Sequence, residues 1–339
     1  MFYTTLRCFD GFKCLAGRCP DTCCVGWQVD LDDETTEKYR LEPGPLGEKL
    51  REKLTEDEGY SCFQMEEGNR CPFLNRSNLC ELILKKGESF LSETCREHPR
   101  FHEDYGEFIE SCLSISCPEA ARLLLTADGF YLKTHRDELL PDEPLSEEDN
   151  NLLYRYVDYR DSFTRIASGH TLKEAIVILG NVSDLFAARS FGLDFPPEHF
   201  REKKDYPLSL KTYFAAIEGL EFTRTELKNI LMKTGRKTEK QLLSPLSLPE
   251  YDAPARILLC YFLYRYILKA VWEDNLPERI RFCFYSATAI VSLSQFFREK
   301  DPMERLIHSA YLFSREIEHS EENLSALFDI LFLPPEYIS

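Results

Sequence analysis

Eight cysteines carry the strongest chemical signal in this sequence. Cys14, Cys19, Cys23 and Cys24 follow the spacing Cys-x4-Cys-x3-Cys-Cys; Cys71, Cys80 and Cys95 follow Cys-x8-Cys-x14-Cys; and Cys117 opens an Ala/Leu-rich segment. Thiolates are soft donors suited to zinc or to iron–sulfur clusters, and short spacings let one loop wrap several sulfurs around an ion. A four-coordinate site takes four ligands, so eight candidates imply either two sites or one site accompanied by buried free thiols. In extended backbone the adjacent Cys23 and Cys24 would point to opposite sides, which predicts at most one of them in any one ion's shell. Backbone amides near Gly26 and after Cys117 are placed to donate to sulfur and offset its negative charge.

Of thirteen cysteines, eleven fall in the first 117 residues, the other three there being Cys8, Cys62 and Cys112. In a reducing compartment such clustering argues for metal or catalysis, and an odd count disfavours a fully paired disulfide framework. The stretch MFYTTLRCFDGFKC has no basic segment leading into an apolar block, so the expected location is cytoplasmic. The longest apolar run, Ile257 to Tyr264, is followed at once by Arg265, far short of a membrane span. A net charge of −17 repels phosphate backbones and attracts lysine-bearing protein surfaces, so nucleic acid is not an expected partner. Plain solubility is the alternative reading of that charge.

Other residues have two readings each. His98 and His102 complete a Cys-x2-His-x3-His pattern that suits zinc, and Arg96 and Arg100 are placed to neutralise a cluster or to sit on the surface. Trp27 either packs in the core or covers the cysteines and stacks on an adenine. Tyrosines 154, 156, 159, 261, 264 and 266 have core spacing, with a cation cage as the functional alternative. No Gly-x-Gly-x-x-Gly turn follows a strand, so no Rossmann-type cofactor site is expected. Nor is there a Cys-x3-Cys-x2-Cys triad, because Cys24 follows Cys23 directly.

The elements that must hold these residues read as mainly α. The expectation is a cysteine-rich metal-binding N-terminal module over 1–135, with room for a small β-hairpin around Trp27–Asp30 and Phe108–Ser116, packed on an all-helical domain over 146–339. The polar stretch 136–150, with Pro141 and Pro144, is the expected boundary, and 194–207 a second hinge. Cys117 is expected at the N-cap of a helix with Pro118 and Glu119 in its first turn. Leu152, Tyr156, Tyr159, Phe163 and Ile166 form one apolar stripe. Thr171 with Glu174 and Thr223 with Glu226 have capping-box spacing, and Gly192 and Gly235 sit where left-handed ends are wanted. Asp252 with Pro254 predicts a helix to about Trp272. Pro277 to Glu299 predicts another, and Asp301 and Ser320 open the last two.

The blocks FKCLAGRCPDTCCVGWQVDLD, CPFLNRSNLCELILKKGESFLSETCREHPRF and ESCLSISCPEAARLLL, taken in order, resemble the flagellin lysine-N-methylase family, itself similar to zinc- or iron-chelating proteins whose cysteine run ends in Cys-Cys. The resemblance implies a methyltransferase that uses S-adenosylmethionine to methylate lysine side chains of flagellin and carries an iron–sulfur cluster of the 4Fe-4S type, with zinc as the alternative metal. Carried over position by position, the family's cysteines fall on Cys14, Cys19, Cys23, Cys24, Cys71, Cys80, Cys95 and Cys117. Cys8, Cys62 and Cys112 match less clearly, and Cys112 is read as a structural thiol. The rival function is a non-catalytic zinc- or iron-binding, or redox-sensing, interaction protein.

Overall fold

A computed structural model describes residues 2–57, 59–136, 145–193, 209–299 and 301–332. Of the expected boundary at 136–150, positions 137–144 lie outside the described residues, and the expected hinge at 194–207 lies outside them entirely. In chain order the first part contains β1 (Phe2–Leu6), β2 (Asp30–Leu31), α1 (Asp33–Leu41), α2 (Gly44–Lys53), β3 (Leu54–Asp57) and β4 (Tyr60–Phe63). Two short helices follow, α3 (Glu81–Lys86) and α4 (Glu93–Glu97), then β5 (Arg100–Asp104), β6 (Phe108–Leu113), α5 (Pro118–Leu125) and β7 (Leu132–Arg136). The remainder is helical: α6 (Glu147–Gly169), α7 (Leu172–Ser190), α8 (Leu210–Glu218), α9 (Thr225–Thr234), α10 (Glu239–Leu242), α11 (Pro249–Tyr266), α12 (Ala270–Glu273), α13 (Leu276–Leu293), α14 (Pro302–Ile317) and α15 (Glu321–Leu331).

The protein is therefore mainly helical, with two small sheets in its first part. Of the two β-capable stretches, the second forms β6, while the first reaches a strand only at Asp30, where β2 begins; the two lie in different sheets, β2 in the order β2-β4-β3 and β6 in the order β5-β6-β1-β7. β5 and β6 make a tight hairpin, with Asp104 accepting from the Gly106 amide at 2.8 Å in the turn. β1 lies parallel to β6, Phe2 opposite Phe108, which draws the start of the chain onto a strand about a hundred residues later. Asp32 ends β2 by capping α1 through Thr35 N–H at 2.8 Å. Its second oxygen accepts from Glu93 N–H at 2.9 Å, so one carboxylate fixes the starts of both α1 and α4.

The main core forms around α13, in which every residue is buried. A helix apolar on all sides has no solvent face to offer, and α7, α11, α14 and α15 pack around it. Its charged residues are matched internally: Arg281 donates to Asp184 at 3.0 Å and to the Leu331 carbonyl at 2.9 Å. The same core takes Leu6, Cys112, Ile115 and Leu124 from the first part of the chain. The α6 stripe behaves as its spacing predicts, with Phe163 buried and Tyr156, Tyr159 and Ile166 packed against that core.

Several helix ends differ from the sequence reading, each for a local reason. Thr223 does not cap α9; its hydroxyl donates to Glu316 at 3.0 Å, and the helix starts two residues later. Gly235 is right-handed at φ −55°, whereas Gly192 has the expected left-handed φ of +70°. α11 begins at Pro249, which suits a first helical position, leaves Pro254 inside, and stops at Tyr266 before the separate turn α12. α13 ends at Leu293 rather than continuing to Glu299. Cys117, Thr171, Asp301 and Ser320 occupy the N-cap positions expected of them.

Because Ile290 is fully buried in the last turn of α13, Ile290→Ala is expected to cost about 2–5 kcal/mol, read as a lowered denaturant midpoint in equilibrium unfolding.

Candidate metal centre

The cysteine loop at 14–27 has little regular structure of its own, and two arginines from the helical part hold it. Arg224 donates to Asp21 at 2.5 Å and Arg315 donates to the other oxygen of the same carboxylate at 3.0 Å. Both guanidinium groups also donate to the Val25 carbonyl, and Arg315 reaches the Thr22 carbonyl at 3.2 Å. The second wall of the loop is a short ladder, with Gly26 N–H on the Asn69 carbonyl at 2.8 Å and Cys71 N–H on the Cys24 carbonyl at 2.9 Å. Gly26 has φ +102°, and a Cβ there would meet the Arg224 Nε at 2.5 Å, so the close approach of the arginine requires glycine.

All thirteen cysteines are free. By electrostatic neighbourhood the eight candidates form two groups. Cys71 feels Cys24, Cys95 and Cys80, and Cys95 feels Cys24 and Cys80. Cys117 feels Cys19 and Cys14, and Cys19 feels Cys14. Cys23 links the groups: its thiol hydrogen-bonds Cys24 and it feels Cys95 and Cys14. Cys23 and Cys24 both lie in a turn, so the alternation of extended backbone expected of them does not apply. Among the described residues, no three His, Cys, Asp or Glu side chains stand in the arrangement that would hold one ion. The donor chemistry of a soft-metal site is present, as neighbouring thiols rather than as a closed shell.

Backbone dipoles support these sulfurs. The amides of Glu119 and Ala120 favour the Cys117 thiolate at the start of α5, those of Leu82 and Ile83 the Cys80 thiolate at the start of α3, and that of Phe73 the Cys71 thiolate, although neither helix start carries a side-chain capping bond. The amide of Gly26, expected to do likewise, is spent on the Asn69 carbonyl. The Cys23 hydrogen bond, with help from Thr22 and Arg315, lowers the Cys24 thiol to about 7. Burial instead pushes Cys71 up to about 12 and Cys95 and Cys117 up to about 11. Cys24 is thus the thiol most ready to ionise near neutral pH.

Trp27 closes this region. Its indole N–H donates to the Cys23 carbonyl at 2.7 Å, and its ring lies 5.9 Å from His98, 5.0 Å from His319 and 4.1 Å from the Arg315 guanidinium. The two histidines of the zinc pattern separate: His98 packs on Trp27, while His102 bonds Ser111 at 2.6 Å. Arg96 pairs with Glu97 and Arg100 lies over Phe9 and Phe12, so neither serves the thiols. The positive charges there are Arg315 and Arg70, both of which favour the Cys24 thiolate. Arg224, Arg315 and His319 were not singled out in the sequence. The available signal was an arginine in the apolar run Ala310–Phe313 to Ile317, a position that demands a buried partner. Cys62 and Cys112 are fully buried and bond only backbone carbonyls, as structural thiols do.

A mainly helical protein with a clamped, disulfide-free set of eight thiols defines a class built around soft-donor chemistry. Comparison with known proteins narrows it. The chain is 31% identical over 129 residues to the flagellar biosynthetic protein FliU of Salmonella muenchen, covering 36% of this chain and 76% of FliU. It is 30% identical over 152 residues to the lysine-N-methylases of Salmonella typhimurium and Salmonella choleraesuis, covering 42% of this chain. The chain belongs to the flagellin lysine-N-methylase family. It spans 38% of the length of those two lysine-N-methylases. No family model and no solved structure matches.

Two predictions follow from the geometry. Gly26→Ala is expected to destabilise by at least about 1 kcal/mol and to open residues 12–27 to limited proteolysis, since the new methyl group strains the backbone and displaces Arg224. Burial lowers the His319 imidazole to about 3, from 6.5. Its neutral form belongs to the folded state, so unfolding takes up a proton below about pH 6.5, and the stability is lost as pH falls toward the folded value. The melting temperature of the native protein should then fall more steeply between about pH 6.5 and 4 than that of His319→Gln. Parallel profiles would remove His319 from the account.

Proposed function

We propose that this protein transfers a methyl group from S-adenosylmethionine to lysine side chains of flagellin, and that its thiols hold an iron–sulfur centre. The observation that carries the reading is family membership, joined to eight free cysteines in the first 117 residues, of which Cys19, Cys23 and Cys24 lie within electrostatic reach of Arg315. In the transfer, the neutral lysine Nζ forms a bond to the methyl carbon while the sulfonium S–CH3 bond breaks. The bonding pair stays on sulfur, giving S-adenosylhomocysteine, and one proton leaves the amine. The chain's task is to orient the two partners, exclude water and accept that proton. An acidic protein, at −17, attracts a lysine-bearing partner electrostatically.

The residues that would hold the centre are Cys24, Cys71, Cys80 and Cys95 in one group and Cys14, Cys19 and Cys117 in the other, with Cys23 between them. A cluster bound there would supply a redox-active cross-link among loops distant in sequence, so that its binding energy is partly folding energy for the first 125 residues. A cytoplasmic setting keeps such thiols reduced. No helix among the described residues is long and apolar enough to cross a membrane.

Protein purified without oxygen is expected to contain iron and acid-labile sulfide and to add methyl groups to flagellin when S-adenosylmethionine is supplied. Serine at Cys71, Cys95, Cys19 or Cys117 should lower iron per chain and protease resistance together. Serine at Cys62 or Cys112 should cost only about 1–3 kcal/mol for a buried hydroxyl and leave iron in place. Stoichiometric zinc without sulfide, or flagellin that gains no methyl group, would favour the non-catalytic binding protein instead.

A further inference from the structure

Of the thiols grouped as Cys24, Cys71, Cys80 and Cys95, three belong to one bonded frame. Cys71 N–H donates to the Cys24 carbonyl at 2.9 Å, Leu74 N–H donates to the Cys71 carbonyl at 3.0 Å, and Leu74 pairs with Cys80 across an antiparallel bridge. Cys71 and Cys80 also pack against the small apolar core formed by Leu31, Phe73, Leu82 and Phe90, among others. Cys95 arrives differently. It is the third residue of α4, a helix of five residues with none buried, and a helix that short has almost no stability of its own.

The Ser92 hydroxyl caps α4 by accepting from Cys95 N–H at 3.3 Å, but Ser92 belongs to the start of the same helix. Among the described residues, one hydrogen bond joins α4 to another element, from Glu93 N–H to Asp32 at 2.9 Å. Asp32 directly follows Leu31 of β2, a member of the core against which Cys71 and Cys80 pack. Its other oxygen is held by Thr35 N–H at 2.8 Å, and fixing that oxygen on α1 aims the second one at α4. The arrangement needs two acceptors on one short side chain, which a carboxylate has and a carboxamide lacks.

We infer that Asp32 is a positioning residue for Cys95, holding α4 so that this thiol stands with Cys24, Cys71 and Cys80. The inference rests on the reading that these thiols hold an iron–sulfur centre, and it adds to that reading a residue that touches no metal. A centre ligated by all four sulfurs forms only in molecules whose α4 is in place, so its apparent affinity scales with the fraction of such molecules.

Two substitutions break the same bond from its two ends. Asp32→Asn leaves one acceptor oxygen for two amides. Glu93→Pro removes the donor and leaves the α1 cap alone. Residue 93 is the first of α4, where proline is accepted, and Ser92 already has the extended backbone (φ −60°, ψ 158°) that a following proline requires. Glu93→Ala, which loses the carboxylate and keeps the N–H, is the control.

The full chain, purified without oxygen, gives two readouts. In metal-free protein, dibromobimane joins pairs of neighbouring thiols, and peptide mapping counts the links from Cys95 to Cys24, Cys71 or Cys80. After addition of ferrous iron and sulfide, iron per chain and the visible absorption of the centre are measured. Asp32→Asn and Glu93→Pro should each lower the yield of Cys95 links, and the apparent iron affinity, by about three- to tenfold, the range for loss of a hydrogen bond to a charged acceptor. Links from Cys117 to Cys14 or Cys19 should stay at the native level, Glu93→Ala should match the native protein, and the double variant should be no worse than the stronger single one. Should Asp32→Asn fail to fold, Glu93→Pro decides alone. Native yields of Cys95 links in Glu93→Pro, an equal loss of the Cys117 links, or no Cys95 link in the native protein overturns the inference. A native protein that takes up no iron, while its Cys95 links respond as expected, keeps the role of Asp32 and sinks the iron–sulfur reading. Iron retained by a protein whose Cys95 links do not respond does the reverse.

Discussion

The grip of Arg224 and Arg315 on Asp21 and Val25 is the constraint on which the candidate centre depends. Four of the eight thiols lie in a loop with almost no secondary structure, so nothing in that loop alone can hold their relative positions. The two guanidinium groups share one carboxylate and one carbonyl, and the Arg315 side chain keeps only 1% of its surface exposed. Removing one partner from such a buried pair leaves an uncompensated charge, at a cost on the order of 3–5 kcal/mol. The clamp therefore ties the geometry of the thiols to the integrity of α14 and of the segment before α9, which come late in the chain.

The same logic runs through the core. α13 is buried on every side, yet it carries Arg279 and Arg281, each satisfied by partners from another element. Glu110 of β6 and Arg160 of α6 form a second buried pair at 2.5 Å that docks the four-stranded sheet on the helices. Pairs of this kind contribute little net stability compared with apolar packing, but each is satisfied in only one register, and they join strands to helices at fixed points. Glu318 follows the same pattern, one of its oxygens facing Arg265 at 3.0 Å and accepting from Tyr261 and Tyr266.

Much was legible in the residues taken in order. The mainly helical character, the caps at Cys117, Thr171, Asp301 and Ser320 and the α6 stripe follow from short-range spacing, because a helix start or an apolar face is set by residues within about four positions of one another. The family relationship was legible too, since cysteine-anchored blocks at set separations are a property of the sequence itself. What could not be read was anything that depends on where a distant side chain arrives. Thr223 has capping-box spacing but is taken by Glu316, Gly235 sits at a helix end without the left-handed conformation, and Cys23 and Cys24 lie in a turn rather than in extended backbone. Arg96 and Arg100, which flank Cys95 and His98 in sequence, do not serve the thiols, whereas the two arginines that clamp the cysteine loop are about two and three hundred residues away from it. Sequence alone thus determined the donor chemistry, the helices and the kinship. Tertiary structure alone decided which thiols are neighbours and which charges are compensated, because each of those depends on distances that local propensity does not encode.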